Sequence, residues 1–431
     1  MSVELKIHAL GSGGDGISRL GDGRVVFIPG AIPGDNVRVK LGAIRKKVQY
    51  AEIEAFIEPS EDRVSSRCPV TACGGCVMRE ISPEAQTRFK AQRLMENLRR
   101  IGGQDATEWN VTSYPPPVHW RYRHRVRLHA RWSGKSWRLG FFERGSHKLV
   151  NFAGCSVLWP ELERAVGKFI WAANELGPKA RLKQISIAYS RQDQRAAAYI
   201  LSEGDIDVFR HDLRWFEMSE LGGVEVKTDH ARWRHGNLEL RYDHAKATDF
   251  ALLYEPAMFT QAFPEVNDAL IAEVTRAVEP RTDLRILELH AGIGNFSIPL
   301  ARAGARVVSY EANTRAAIFA GRNARSAGAE IETNAKSDQA ALGRLNDFDV
   351  LLMDPPRSGA KEVCDFISQI PCNLSKIVYI SCDTATLARD IKSLGQNGFR
   401  LISVSAFDMF PQTQHVEAIA VLVRNPEQEH F

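Results

Sequence analysis

The chain has 431 residues, 44% hydrophobic and 25% charged, with a net charge of +4 and a pI of about 8.6. That length exceeds a single core, so two or three domains are expected, and the mild charge means that a nucleic-acid partner has to show as local clusters of Lys and Arg. An odd count of seven cysteines, no export signal in MSVELKIHAL and no apolar run of membrane-spanning length argue against a disulfide framework and a membrane protein. The expectation is a soluble cytoplasmic protein with no membrane contact and no obligate protein partner.

Residues 1–59 read as all-β. Short alternating runs (Val3–Leu10, Arg24–Ile28, Asn36–Lys40, Tyr50–Ile57) are separated by turns such as GSGGDG and PGAIPGD, which predicts a small OB-like barrel. Lys40, Arg45, Lys46 and Lys47 cluster near one turn, as an accessory RNA-binding surface or a solvated loop.

After a linker at Glu58-Pro59-Ser60 comes RCPVTACGGCV. Cys68, Cys73 and Cys76 form C-x4-C-x2-C, and Cys155 follows in AGCSVLWP. Three close thiols with a distant fourth form a ligand pattern for iron–sulfur or zinc, and spacing alone does not choose between them. Ser82 to Ile101 reads as a helix, capped by Ser82, with Pro83 in its first turn and a packing stripe of Leu94, Leu98 and Ile101.

Residues 119–150 carry the clearest charge asymmetry. Arg121, Arg123, Arg125, Arg127 and Arg131 alternate along RYRHRVRLHAR, and Lys135, Arg138, Arg144 and Lys148 follow against the single acid Glu143. Period-two spacing puts such arginines on one strand face, and with Trp120, Tyr122, Trp132, Trp137, Phe141 and Phe142 interleaved, that face suits phosphates and unstacked bases. Further strands are expected at Gln184–Tyr189, Ala196–Leu201 and Asn237–Tyr242.

From about Glu255 the pattern becomes strand–helix alternation. Strands are expected at Arg285–His290, Arg306–Glu311, Glu330–Thr333, Asp349–Asp354, Lys376–Ser381, Leu401–Ala406 and Glu417–Val423, giving a doubly wound sheet whose last two strands pair as a hairpin. The predicted division is 1–59, 60–254 and 255–431.

The chemistry concentrates at one edge of that sheet. LELHAGIGNFS opens a helix after the first strand, Gly292 and Gly294 allow close approach to the backbone, and Glu311 ends the next strand where a carboxylate can bond ribose. Ser297 stands where a dinucleotide fingerprint has its third glycine, which favours an adenosyl cofactor without phosphates, S-adenosylmethionine, over a nicotinamide cofactor. The fourth strand ends in MDPPRSG with Asp354, the fifth in SCDTATLARD with Cys382, and the last opens at His415 and Glu417. A helix starting at Asp383 would lower the pKa of Cys382.

The combination of FTQ (Phe259 to Gln261), the Gly-rich loop, DPPR, SCDTATLARD and PQTQHVE resembles the S-adenosylmethionine-dependent RNA uridine-5-methyltransferases. GDGRVVFIPGAIPGD resembles their TRAM barrel, and the four cysteines resemble the 4Fe–4S site of the branch acting on 23S ribosomal RNA. The resemblance implies a TRAM β-barrel, a central α+β iron–sulfur and RNA-binding domain, and a doubly wound, Rossmann-like class I methyltransferase domain. It implies Cys382 as nucleophile and Glu417 as general base. Gln261, His290, Asn295, Glu311, Asp338 and Asp354 would line the cofactor site, and Cys68, Cys73, Cys76 and Cys155 would bind a 4Fe–4S cluster in preference to zinc or 2Fe–2S. The partner is RNA, ribosomal before transfer RNA. An amino-methylating enzyme is the alternative that DPP alone permits, but it gives no use for Cys382 with Glu417.

Overall fold

The structure is a computed structural model that describes residues 2–45, 48–105, 109–244, 250–369 and 372–424. Lys46 and Lys47 of the basic turn, and the side chain of Arg45, lie outside the described residues. No helix among the described residues is long and apolar enough to cross a membrane.

Six strands from Ser2–Lys6 to Val48–Glu58 form a curled sheet around Leu5, Val26, Ile28, Val37, Val39 and Ala51. The curl follows from register shifts between the long strands Asn36–Arg45 and Val48–Glu58, because bulges bend and twist a strand pair. Asp35 ties this sheet to the next segment. Its fully buried carboxylate accepts from the amides of Ile32 (2.8 Å) and Ser60 (2.9 Å) and pairs with Arg63 at 2.5 Å.

The helix Pro83–Arg100 begins as the sequence reading expects, with the Ser82 hydroxyl accepting from Ala85 N. Its apolar stripe, Ala91, Leu94 and Leu98, packs into the C-terminal core beside Leu387, Ala388 and Ile391.

A seven-stranded sheet follows, ordered Leu149–Asn151, Trp137–Phe142, Arg125–Trp132, Leu182–Ser190, Arg195–Ser202, Gly223–Lys227 and Arg232–Gly236. One face packs on the helix Pro160–Ala172 through Leu128, Leu139, Leu162 and Phe169. The strand expected at Asn237–Tyr242 shrinks to Leu240–Arg241, paired with Leu253–Tyr254.

The C-terminal sheet has eight strands, ordered Ile331–Asn334, Arg306–Tyr310, Arg285–Leu289, Val350–Met353, Lys376–Ser381, Glu417–Arg424, Phe399–Phe407 and Asn110–Tyr114. The first five are parallel, with Lys376–Ser381 and Phe399–Phe407 each antiparallel to Glu417–Arg424. The seven expected strands are all present and the last two do form a hairpin. The eighth, Asn110–Tyr114, comes from the middle of the chain and adds parallel to Phe399–Phe407. The strand order reverses between Arg285–Leu289 and Val350–Met353, the switch point at which open α/β sheets bind ligands.

Candidate active site

Five chain segments deliver side chains to one edge of the C-terminal sheet. His290, Glu311, Asp354 and Cys382 each follow the carboxyl end of a parallel strand. Glu417 opens the antiparallel strand, so its amino-terminal end lies at the same edge. Ser381 pairs with Ala418, and one further step of that register sets Cys382 opposite Glu417.

The electrostatics differ from the sequence expectation. Burial first, then the carboxyls of Glu417 and Asp354, pushes the Cys382 thiol up to about 12, while Arg357 pulls it down. The amides that open the helix Thr384–Gly395 are taken by Asp383, whose carboxylate accepts from Ala385 N (3.1 Å) and Thr386 N (2.9 Å), so they are not donated to the thiol. Burial and then Asp354 hold the Glu417 carboxyl well above the usual carboxylate range, with Arg357 opposing. Burial raises Asp354 to about 7. These are neighbouring acids that resist ionising together, with one nearby guanidinium as counter-charge.

The sequence reading met Arg357 only as the last letter of DPPR. It is exposed, and its Nη2 lies 3.1 Å from His415 Nε2. Burial and then Arg357 lower His415 to about 4, so the ring is neutral at neutral pH.

Beside these acids is a cavity lined by Gln261, His290, Gly292, Asn295 and Asp354, with Phe259 and Phe296 among its apolar walls. No Lys or Arg lines it. Gln261 Nε2 donates to Asp354 Oδ2 at 3.3 Å, while Gln261 Oε1 and His290 Nε2 are buried without hydrogen-bond partners. Gly292 has φ 58°, and a Cβ there would meet open space. The unpaired Gln261 carbonyl, the buried Asp354 carboxyl and the lack of Lys or Arg in the lining fit S-adenosylmethionine, which carries a sulfonium and an ammonium but no phosphate.

Two expected cofactor residues stand behind the cavity wall. Glu311 accepts from Gly292 N (2.9 Å) and Asn313 N (2.7 Å), which fixes the glycine loop. Asp338 Oδ2 lies 3.5 Å from His290 Nε2. Asn295 exchanges amide bonds with Asn267 (2.9 and 3.0 Å), and Asn323 donates to Ile293 O and Leu253 O at 3.0 Å each. Asn267 and Asn323 escaped the sequence reading because each looks like an ordinary polar position in its helix.

Of the arginines expected on one strand face, the structure keeps part. Arg121 and Arg123 precede the strand, and Arg121 has φ 58° and pairs with Glu163. Arg125 is turned inward, donating to Met258 O (2.7 Å) and Thr260 Oγ1 (3.0 Å) in the segment that carries Gln261. The solvent face keeps Arg127, Arg131 and Arg138, the last two cross-strand partners, beside a stack of His129 on Phe142 with centroids 4.0 Å apart.

Cys68, Cys73, Cys76 and Cys155 line one cavity with apolar walls that include Trp120, Phe141 and Phe152. All four are free thiols. Burial, and then chiefly neighbouring thiols, raises Cys76 to about 12, and burial raises Cys155 to about 11. A Cβ on Gly74 would lie 2.6 Å from Arg144 N, so only glycine lets this loop pack where it does. Among the described residues no three His, Cys, Asp or Glu side chains are grouped to hold a single metal ion.

Residues 243–425 match the tRNA (Uracil-5-)-methyltransferase family model, and residues 2–53 match the TRAM domain. The chain is 32% identical to the 23S rRNA (uracil(1939)-C(5))-methyltransferase RlmD of Methylococcus capsulatus, covering 98% of this chain and 97% of that protein. It is 33% identical to the RlmD of Thiobacillus denitrificans, covering 98% and 100%. Among solved structures, the Pyrococcus abyssi tRNA (uracil-54, C5)-methyltransferase in complex with S-adenosyl-L-homocysteine superposes with a TM-score of 0.75 at 23% identity, covering 97% of this chain and 99% of that one.

Proposed function

The chain belongs to the S-adenosylmethionine-dependent RNA uracil-5-methyltransferases, and we propose that it methylates C5 of one uridine in 23S ribosomal RNA, in the cytoplasm. The observation that carries the chemistry is the convergence of Cys382, Glu417 and Asp354 on one sheet edge beside an acceptor-lined cavity free of Lys and Arg. Ribosomal RNA is preferred because the relatives named above, alike over nearly their whole length, act on it.

C5 of uracil is a poor nucleophile, which sets the task. S-adenosylmethionine supplies an electrophilic methyl group. Gln261, His290, Asn295 and Asp354 would hold it from the cavity wall, with Glu311 acting through the glycine loop and Asp338 through His290. The Cys382 thiol gives its proton to solvent, an ionisation that Arg357 favours, and the thiolate adds to C6. The resulting enolate would attack through C5, the methyl–sulfur bond of the sulfonium breaking to leave S-adenosylhomocysteine. Glu417, as carboxylate, removes the C5 proton. The electrons of that C–H bond reform the C5–C6 double bond, and the C6–S bond breaks to return the thiolate. A carboxylate whose pKa is raised above the usual carboxylate range is a stronger base than an ordinary surface glutamate. The uridine has to be unstacked to reach this edge.

Residues 1–59 and the Arg127, Arg131 and Arg138 face of 60–254 would grip the RNA backbone, with 255–431 as the catalytic portion. Cys68, Cys73, Cys76 and Cys155 would hold a 4Fe–4S cluster. Four free thiols around one apolar cavity support a metal centre there, and the choice of cluster over zinc rests on the resemblance of the four-cysteine pattern.

The test is methylation in vitro of total RNA from a strain lacking the gene, followed by mapping. The expected product is 5-methyluridine at one site in 23S RNA. Label confined to transfer RNA would overturn the substrate, and label on an exocyclic amine would overturn the reaction.

A further inference from the structure

The hairpin connection 408–416, which delivers Glu417, is held almost wholly by residues outside the catalytic sheet. Lys90 Nζ donates to Phe410 O (3.0 Å) and pairs with Asp408 at 2.6 Å, both side chains being buried. Tyr122 Oη donates to Pro411 O (3.0 Å), Met78 N donates to Gln412 O (2.9 Å), and Arg93 donates to Gln414 O. Gln86 is the central node. Its Oε1 accepts from Gln412 N at 2.7 Å, and its Nε2 lies 3.1 Å from Gln412 Oε1 and 2.9 Å from Ile81 O. Gln412 itself has φ 72°, a left-handed conformation that a non-glycine residue holds only when its surroundings impose it.

Hairpin connections ordinarily run over the surface and spend their backbone groups on water or on themselves. Here Asp408, Gln412 and Thr413 are buried, and the carbonyls of Phe410, Pro411, Gln412 and Gln414 each accept from a donor in residues 78–122. Such matching fixes the backbone in one conformation just before Glu417 and does nothing comparable for the cofactor cavity, whose lining comes from other segments. We propose that Gln86, supported by Lys90, is a positioning residue for Glu417: the segment that follows the cysteine loop is the mount that holds the base at C5 of the adduct. This rests on Glu417 being that base.

The test is Gln86→Met, which keeps side-chain length and burial but removes every hydrogen bond of the node, with Glu417→Gln assayed in parallel. The readouts are cofactor affinity, kcat and KM for RNA, and the fraction of enzyme trapped as a denaturant-stable protein–RNA adduct. A displaced base slows proton removal more than it slows thiolate addition. Gln86→Met is therefore expected to bind cofactor normally, to lose kcat on the order of 100-fold with KM little changed, and to accumulate adduct. Gln412→Gly, which keeps the backbone N–H bound by Gln86 but removes the side-chain contacts of the node and relaxes the backbone, is expected to do the same to a smaller degree. Normal turnover without adduct in both variants overturns the proposal. Loss of cofactor binding together with activity in Gln86→Met also overturns it, because the residue then serves the fold at large. If Glu417→Gln traps adduct and neither node variant does, the mount is wrong and the base stands. If Glu417→Gln traps nothing, the base fails and the mount with it.

Discussion

Cys382 and Glu417 face each other at the end of an antiparallel strand pair, one step beyond the Ser381–Ala418 partners. The last rung of the strand ladder brings the two together, so residues from sequence-distant segments are held side by side by backbone hydrogen bonds, and the proposed route gives them one uracil ring to act on. Removing the sulfur should separate chemistry from binding. Cys382→Ala is expected to abolish methyl transfer while S-adenosylmethionine affinity by calorimetry stays unchanged, and any 5-methyluridine formed by this variant would sink the covalent route.

Glu417→Gln keeps the shape and loses the base. Addition and methyl transfer proceed and elimination stalls, so a protein–RNA adduct that survives denaturant should build up within one turnover. Normal turnover by this variant would remove Glu417 from the role.

The raised acids set a pH dependence. On the proposed route activity needs the Cys382 thiolate and the Glu417 carboxylate, and both groups are raised above their ordinary values, so the rate should climb with pH through neutrality. Arg357 favours both anions, and Arg357→Met should shift the profile toward higher pH. Stability runs the other way. Asp354 has a folded pKa of about 7 against an ordinary value of 3.8, so the folded state binds the extra proton and its stability falls as pH rises from about 4 to 7. Asp354→Asn should accordingly gain more in melting temperature at pH 8 than at pH 5. A gain equal at both would show that Asp354 ionises normally.

Arg131 and Arg138 sit as cross-strand partners on the exposed face of the central sheet. Reversing both charges should weaken RNA binding across unrelated sequences and leave cofactor affinity alone. The slope of log affinity against log salt should become shallower by roughly 0.7 to 0.9 for each phosphate no longer neutralised. An unaltered slope would mean that the RNA lies elsewhere.

The four cysteines give a colour test. Protein purified without oxygen should be brown and release acid-labile sulfide with its iron, and Cys76→Ser should lose both. A colourless protein carrying stoichiometric zinc would replace the cluster.

The sequence alone carried the C-terminal sheet well, because buried parallel strands such as Lys376–Ser381 read as unbroken apolar runs ending in a chemically loaded residue. It missed Asn110–Tyr114, since NVTSY has weak alternation and becomes a strand only through its distant partner Phe399–Phe407. Arginine spacing suggested a uniform basic face, but a guanidinium can be satisfied by carbonyls as well as by phosphate, and Arg125 spends itself on Met258 and Thr260. The helix beside Cys382 was legible. That Asp383 would take its first amides follows from the same capping rule that placed Ser82, but the sequence reading weighed only the helix end beside the thiol.

The strand Asn110–Tyr114 has a consequence for how the protein is made. The ribosome releases it and the helix Pro83–Arg100 long before the sheet and helix they pack against exist. The amino-terminal portion must therefore wait, with Leu94 and Leu98 uncovered, until the last hairpin emerges. Conversely, a fragment cut at residue 255 would present the open edge of Phe399–Phe407 as a template for intermolecular pairing. Grafting the catalytic portion alone onto another RNA-binding carrier should yield aggregate, whereas a transplant beginning before Ser82 carries its own edge cover.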